Sequence, residues 1–480
     1  MKVTTNSTQS VSYMIDIIPL RPIAHYRVLL GSIVFIIICL LLLLEVINRS
    51  VVSFIGAFLT LFLLGLTAES PSLDTVIHWM DPSTLCMLFG MMVITQMLSL
   101  TGFFEYCATR LYMFSKGSLI PLHLLLCLFT AGCSVLMDST TTMMVVAPMT
   151  IELVRSLHAS PLPFLFAEIV FSNLAGTGLQ IGDSSTILLG SLLNDHIQFI
   201  DFVKHCLPCV LLCMIVIYPI TLLYFKKDLS ESKAFSDVNI ADGYQIKNKP
   251  LCVKCGVILI TVILLFFMQS WHQINISFIA VGGAFACLLL GTQEDLHTTF
   301  ELLDWETLVF FAGLLIMIEG LNELGMIPAL ANWLISLIQH ASISMQPFLA
   351  HILILWLTGI LSSIVDSVTI TSTMIPIIQL MSSSLHLDLS TLAWALALGA
   401  SFGGNGTLIG SGANVVTVGI SSANGVPISL KTYSKYGIPC TLVSLIVSTF
   451  YLWIRYLYSV YKKHVYSIYI PCCIFLFSRQ

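Results

Sequence analysis

Apolar runs long enough to cross a bilayer, roughly 17–25 residues, recur along most of this chain, separated by short polar stretches. The pattern predicts spans at 28–44, 51–68 and 84–100 in the first half, and at 255–270, 276–291 and 307–321 in the second. Further spans are expected at 203–225 and at about 437–458. Two other patterns interrupt this rhythm. An apolar arm, 120–137, runs into Asp138-Ser139-Thr140-Thr141-Thr142 and is followed by a return arm, 143–154; 346–365 runs into Asp366-Ser367 and returns over 368–381. A carboxylate between two apolar arms predicts a re-entrant hairpin with its tip at depth. The runs 163–194 and 391–420 are broken by glycine, at Gly176, Gly178 and Gly182, and over Gly403–Asn414. Glycine weakens helix interiors and asparagine competes for backbone hydrogen bonds, so both runs are expected to be helices with an unwound middle. Non-helical backbone at bilayer depth persists only where protein or a wet cavity satisfies it. Two such breaks imply a cavity.

The two halves repeat one another. At an offset of 223, Asp81, Thr84, Gly90 and Gly102 fall on Asp304, Thr307, Gly313 and Gly325; at 228, Ser134, Asp138, Pro148 and Gly182 fall on Ser362, Asp366, Pro376 and Gly410. Arg110, Lys116 and Arg155 bracket the first hairpin, whereas 322–390 holds no Lys or Arg. The positive-inside rule then enters the first hairpin from the cytoplasm and the second from outside. The predicted fold is therefore an all-α polytopic membrane protein of two inverted repeats, each with a re-entrant hairpin and a broken transmembrane helix. The expected organisation is an N-terminal segment and first span (1–50), a first repeat (51–225), a cytoplasmic lysine-rich loop (226–254), a second repeat (255–458) and a tail (459–480). This orientation puts the N-terminus outside, as the sequon Asn6-Ser7-Thr8 requires, but against the preference of Lys2, Arg21 and Arg27; Arg455, Lys462 and Lys463 also fall on the unfavoured side.

Composition agrees with the pattern: 57% of residues are hydrophobic and only 9% charged, against about a quarter charged in soluble domains. No basic stripe suits nucleic acid. The pairs Cys206/Cys209 and Cys252/Cys255 lie too far apart to share a tetrahedral zinc site and read as packing residues, like the other cysteines.

Inverted repeats with interrupted helices at matching positions point to a secondary transporter with a midplane site. Asp138, Asp183 and Asp366 lie at chain breaks, and acids inside a membrane usually mark ion pathways; as caps of the following helices they would also serve the fold. Thr141 and Thr142 follow Asp138 by three and four residues and share its face on a helix. Carboxylate, hydroxyl and carbonyl oxygens suit sodium, and a carboxylate held out of water can carry a proton instead. Asn405 and Asn414 offer amide donors and carbonyl acceptors to an anion, or local turn chemistry at the break. His123 and His351, in apolar arms, read as packing residues. The sequon at Asn405-Gly406-Thr407 should be unmodified at such depth.

Leu88-Phe89-Gly90-Met91-Met92, Thr101-Gly102-Phe103-Phe104-Glu105-Tyr106-Cys107 and Gly404-Asn405-Gly406-Thr407-Leu408-Ile409-Gly410 resemble the P protein family, which is grouped with citrate-transporter-like, arsenite-permease-like and sodium/dicarboxylate carriers. The similarity runs from about 45 to 455. It implies a two-repeat carrier, symporter or antiporter, forming a homodimer in an organelle membrane (melanosome- or lysosome-like) or the plasma membrane. Its ion and substrate sites would lie at the hairpin tips and broken helices. The implied site residues are Asp138, Ser139, Thr141 and Thr142; Gly182, Asp183 and Thr186; Asp366, Ser367 and Thr369; and Asn405, Gly406, Thr407 and Asn414. No cofactor is expected beyond a coupling sodium ion or proton, and no enzymatic activity. The family's hairpin tips read Asp-Asn where this chain has Asp138-Ser139 and Asp366-Ser367, and its Gly-Asp-Pro-Pro-Asn is Gly182-Asp183-Ser184-Ser185-Thr186 here. The family also carries a longer N-terminal region with a further span, expected to be absent from this chain. The expected function is secondary active transport of a small anion, or cation/proton exchange. An anion channel on the same scaffold is the alternative. An intramembrane aspartyl protease fits less well, because Gln180-Ile181-Gly182-Asp183 lacks that class's first glycine.

Overall fold

Two close helix crossings hold the halves together, and a glycine sets the distance in each. In the computed structural model, which describes residues 26–457 except 45–46, 68–69, 116–117, 231–245 and 344, Pro82–Leu100 lies along Ile276–Leu290, and Trp305–Glu323 lies along Arg49–Thr67. Each pair joins a helix of one half to a helix of the other. A Cβ on Gly90 would stand 2.6 Å from the Ala280 carbonyl carbon, and one on Gly313 would stand 2.9 Å from the Ser53 carbonyl carbon. Both are shorter than packed atoms tolerate, so backbone meets backbone at equivalent points of the repeat. Small residues at helix contacts are how membrane helices gain van der Waals contact where lipid offers no hydrophobic driving force.

The starts of the two long inner helices are matched as well. Asp81 precedes Pro82–Leu100 and accepts from Thr84 Oγ1 at 2.5 Å; Asp304 caps Trp305–Glu323 and accepts from Thr307 Oγ1 at 2.5 Å and from its amide at 3.1 Å. The repeated Asp-x-x-Thr thus ties an acid to a hydroxyl at both helix starts, and only Asp304 also satisfies an amide that the helix leaves open.

Among the described residues nine helices are long and apolar enough to cross a bilayer, and no strand occurs. Both halves run in the same order. Arg27–Leu44 and Lys249–Phe267 come first, then the crossing helices, a hairpin, a broken helix and a last span. The hairpins are Leu119–Leu136 with Ser139–Ser156 and Gln346–Ser362 with Ser367–Leu385. The broken helices are Leu162–Gly176 with Ser184–Leu192 and Leu389–Gly403 with Gly412–Ala423. Helix, hairpin, break and twofold repeat follow the expected pattern, except that the matching order of the first half begins with Arg27–Leu44, which was expected to precede the repeat.

The hydrophobic pattern did not announce several shorter helices. Phe103–Ser115 and Met326–Gln339, 13 and 14 residues long, are too short to span and carry polar residues, so they read as connections. Each begins after a glycine in the left-handed region, Gly102 (φ 78°) and Gly325 (φ 84°), where a Cβ would be strained; this accounts for the repeated glycine. Leu73–Trp79, Phe199–His205 and Gln293–Leu302 were likewise not foreseen. The expected span 203–225 is divided at Cys206, with Pro208 starting Leu207–Tyr224, and the last span begins earlier than expected, at Leu430. Cys206, Cys209, Cys252 and Cys255 are buried and unbridged. The sequon at Asn6, Lys2, Arg21, Lys116, residues 231–245 of the lysine-rich loop, Lys462, Lys463 and the tail lie outside the described residues.

The crossings give a direct test. Gly90→Leu and Gly313→Leu should each lower the thermal midpoint and the yield of monodisperse protein, by about 1–3 kcal/mol of overpacking. Gly132→Ala, where no atom lies within 4 Å of the added carbon, should be tolerated. Fluorescence-detected size exclusion after heating reads the difference, and equal midpoints for all three would refute the packing account.

Candidate functional site

Each hairpin turns on an aspartate. Asp138 caps Ser139–Ser156, its Oδ2 accepting from the amides of Thr140 at 3.0 Å and Thr141 at 3.4 Å. Asp366 caps Ser367–Leu385, accepting from the Val368 amide at 3.1 Å. Capping therefore holds for both acids, and each has oxygen capacity left. Asp138 Oδ1 accepts from Ser184 Oγ at 2.6 Å, on the broken helix.

The breaks are tight pleats closed by glycines. A Cβ on Gly182 would lie 2.6 Å from the carbonyl oxygens of Gly176 and Ser134; one on Gly410 would lie 2.7 Å from those of Gly404 and Ser362. Ser134 Oγ donates to the Ser172 carbonyl at 2.7 Å, and Ser362 Oγ to the Ala400 carbonyl at 2.6 Å, pinning each hairpin to the broken helix beside it. Carbonyls freed by the breaks are taken by side chains. Thr186 Oγ1 donates towards Asp183, Gln180 and Leu179, the first at 2.7 Å. Asn414 Nδ2, at the equivalent position, donates to Thr407 at 2.8 Å and Gly404 at 2.7 Å. Thr186 and Asn414 thus close the breaks.

The halves are then laced together in the centre. Asn173 Nδ2 donates to Asn405 Oδ1 and Asn414 Oδ1, both at 2.9 Å, and Asn173 Oδ1 accepts from Ser411 Oγ at 3.0 Å. At the mirrored place, Ser401 Oγ donates to Asp183 Oδ2 at 3.0 Å. Asp183 also accepts from Ser139 at 3.2 Å and from Ser185, so three hydroxyls surround one carboxylate. It occupies a helix start without capping it, and that expectation is corrected: its bonds run between elements instead of down its own helix.

A cavity of about 390 Å³ opens beside this lattice, with Asp183, Ser184, Thr140, Asp366, Ser367 and Ser411 in its wall. Six helix starts reach it: Arg49–Thr67, Ser139–Ser156, Ser184–Leu192, Trp305–Glu323, Ser367–Leu385 and Gly412–Ala423. Those at Asp183 and Ser411, the second arms of the broken helices, carry no side-chain cap. Helix starts attract negative charge and present open N–H donors.

Of the expected residues, Asp183, Asp366 and Ser367 stand in the cavity wall, while Asp138 and Ser139 reach it through Ser184 and Asp183. Gly182, Thr186 and Asn414 shape the breaks. Asn405 is fully buried with its Nδ2 unpartnered, and its oxygen is held by Asn173. Gly406 packs on Ser363, and Thr407 Oγ1 donates to the Ser363 carbonyl at 2.6 Å. Thr142 and Thr369 are buried with their hydroxyls unpartnered and lie outside the wall; Thr141 contributes its amide to Asp138. His123 and His351 are held by carbonyls, those of Pro163 at 3.3 Å and Pro347 at 2.6 Å, as packing residues are.

Sequence reasoning missed two participants. Arg49, between the first two spans, stands in the wall with Nη1 3.9 Å from Asp366 Oδ1; nothing in the tip motifs announced a cation there. Asn173, at the centre of the lattice, carries no mark in the sequence beyond its place just before the first glycine break. Glu168, a lone acid in an apolar run, is visible in the sequence but lies outside the cavity wall.

The citrate transporter family matches residues 39–399 of this chain. The P protein of Mus musculus is 29% identical over 87% of the chain, which spans 59% of that relative's length. An uncharacterized transporter of Mycobacterium tuberculosis is 33% identical, with 85% of this chain and 94% of the relative covered. Among solved structures, the YdaH transporter of Alcanivorax borkumensis, described as having an unusual topology, superposes with a TM-score of 0.57 at 12% identity, over 85% of this chain and 98% of that one. That likeness is one of fold. Taken with the apolar helices and the broken-helix lattice, these matches place the chain in the citrate transporter family, as an integral multi-pass membrane protein.

Proposed function

We propose that this chain is a secondary active transporter of a small carboxylate-bearing anion, coupled to sodium or protons bound at the hairpin-tip aspartates. The observation that carries the reading is the convergence of two uncapped helix starts, at Ser184 and Gly412, with Asp183 and Asp366 in the wall of one cavity. The two charge types divide the work. The helix starts provide N–H donors for an anion, whereas carboxylates beside them repel one until a cation or proton neutralises them. An anion is therefore bound well only after the coupling ion, which is the requirement for coupled transport. The hydroxyls of Ser139, Ser184, Ser185 and Ser401 complete an oxygen set of the kind hard cations take. Alternating access would follow from rocking each hairpin and broken helix against the crossed inner helices. A homodimer is the assembly the family resemblance implies.

Purified protein in proteoliposomes should take up citrate or a smaller carboxylate in a saturable manner that depends on a sodium or proton gradient. Asp138→Asn and Asp366→Asn should each abolish the ion-dependent component while the protein remains monodisperse; undiminished flux in both rejects the site. Current without a coupled gradient would identify a channel instead.

Ser401→Ala removes one hydroxyl from Asp183 across the repeat interface. It should weaken the apparent affinity for the coupling ion by about two- to tenfold, at unchanged maximal rate. An unaltered ion dependence would show that Asp183 serves only the fold.

A further inference from the structure

Glu168 lies in the middle of Leu162–Gly176 with none of its surface exposed. Thr150 Oγ1 on the neighbouring hairpin arm donates to its Oε1 at 2.7 Å, and Oε2, equally buried, has no partner. It is absent from the cavity wall. Around it, every packed helix is poor in charge. Leu119–Leu136 offers His123, Cys127 and Cys133, with His123 bonded to the Pro163 carbonyl at 3.3 Å. Ser139–Ser156 offers Glu152 and Arg155, both exposed. Leu207–Tyr224 offers Cys209, Cys213, Tyr218 and Tyr224, and Leu430–Leu452 offers Tyr433, Tyr436 and Cys440 on its packed face. Leu389–Gly403 and Gly412–Ala423 carry no titratable side chain. Among the described residues no Lys or Arg pairs with Glu168. An ionised carboxylate buried beside one hydroxyl and no cation is far less favourable than the protonated acid.

The repeat shows that the fold does not need this acid. Positions 168 and 150 correspond at the 228 offset to Leu396 and Ile378, both fully buried. The same packing is filled by two aliphatic side chains in one half and by a carboxyl–hydroxyl pair in the other.

We propose that Glu168 is a proton-binding site, separate from the cavity and present in one repeat only, whose occupancy favours the conformation described here. Its place gives it leverage. Asn173, which ties the first break to Asn405, Asn414 and Ser411, is five residues along the same helix, about 7.5 Å by helical rise. Loss of the proton leaves a buried charge that is relieved only when this helix or its neighbours move to admit water or a cation, and such a movement strains the lattice at the break. Raising the pH therefore works against this conformation, and lowering it works in favour.

The test uses the full chain, purified in nanodiscs, as wild type and Glu168→Gln. Glutamine copies the shape of the protonated acid and keeps the Thr150 bond. Infrared difference spectra between acid and alkaline buffer should show the carbonyl stretch of a protonated carboxyl in the wild type, and lose one component of it in the variant. The thermal midpoints should coincide at about pH 5, and the variant should melt higher than the wild type at about pH 8.5. Superimposable spectra and pH profiles would overturn the proposal. Should Glu168→Gln fail to fold, the double variant Thr150→Ile, Glu168→Leu, which installs the pair of the other repeat, is measured in the same way. Failure of both to fold would equally overturn it, by showing that the acid is structural.

Discussion

The structure depends on one constraint: two helices are unwound where water is scarce, and every peptide group they release must find a partner. The partners come largely from side chains placed for that purpose. Thr186 and Asn414 close the two breaks on their own carbonyls, and Ser134 and Ser362 pin the hairpins to the helices that break. The remaining capacity is spent between the halves, through Asn173 to Asn405, Asn414 and Ser411 and through Ser401 to Asp183. Since an unpaired buried polar group costs about 1–3 kcal/mol, the lattice sets the register of one repeat against the other. The cavity lies where that lattice stops.

Backbone symmetry and chemical asymmetry then do different jobs. The crossed helices, paired hairpins and glycine pleats repeat nearly residue for residue, as the equivalent contacts of Gly90 and Gly313, or of Gly182 and Gly410, show. The charges do not. Asp183 stands opposite Ser411, Glu168 opposite Leu396, and Arg49 approaches Asp366 without a counterpart at Asp138 among the described residues. The scaffold is thus close to symmetric, while the unequal charges give equivalent positions of the two halves different chemistry.

The departures from the family pattern have a physical explanation. Where the P protein family has Pro-Pro-Asn after the first break, this chain has Ser184-Ser185-Thr186, and all three hydroxyls are engaged: with Asp138, with Asp183 and with the carbonyls of the break. Stiffness supplied by proline rings is replaced by hydrogen bonds to the acids. The broken helix is held in place by the same carboxylates that the proposed coupling ion would bind.

Much of this was legible in the sequence because its causes are local or periodic. Apolar length gave the spans, an acid between two apolar arms gave the hairpins, glycine clusters gave the breaks, and a constant offset gave the repeat. The short helices Phe103–Ser115 and Met326–Gln339 were missed since a dozen residues of mixed polarity carry no span signal, although the glycines before them were visible. The pairings were not legible at all. That Asn173 would meet Asn405, that Ser401 would reach Asp183 and that Arg49 would come to Asp366 depends on how two separate segments cross, and residues more than 200 positions apart leave no periodicity to read. Apolar length, acids between apolar arms and glycine clusters were enough to say which long segments cross, turn and break. Only tertiary packing decided which broken end faces which acid, because that choice is made by contacts between halves, where a single chain records the groups but not their partners.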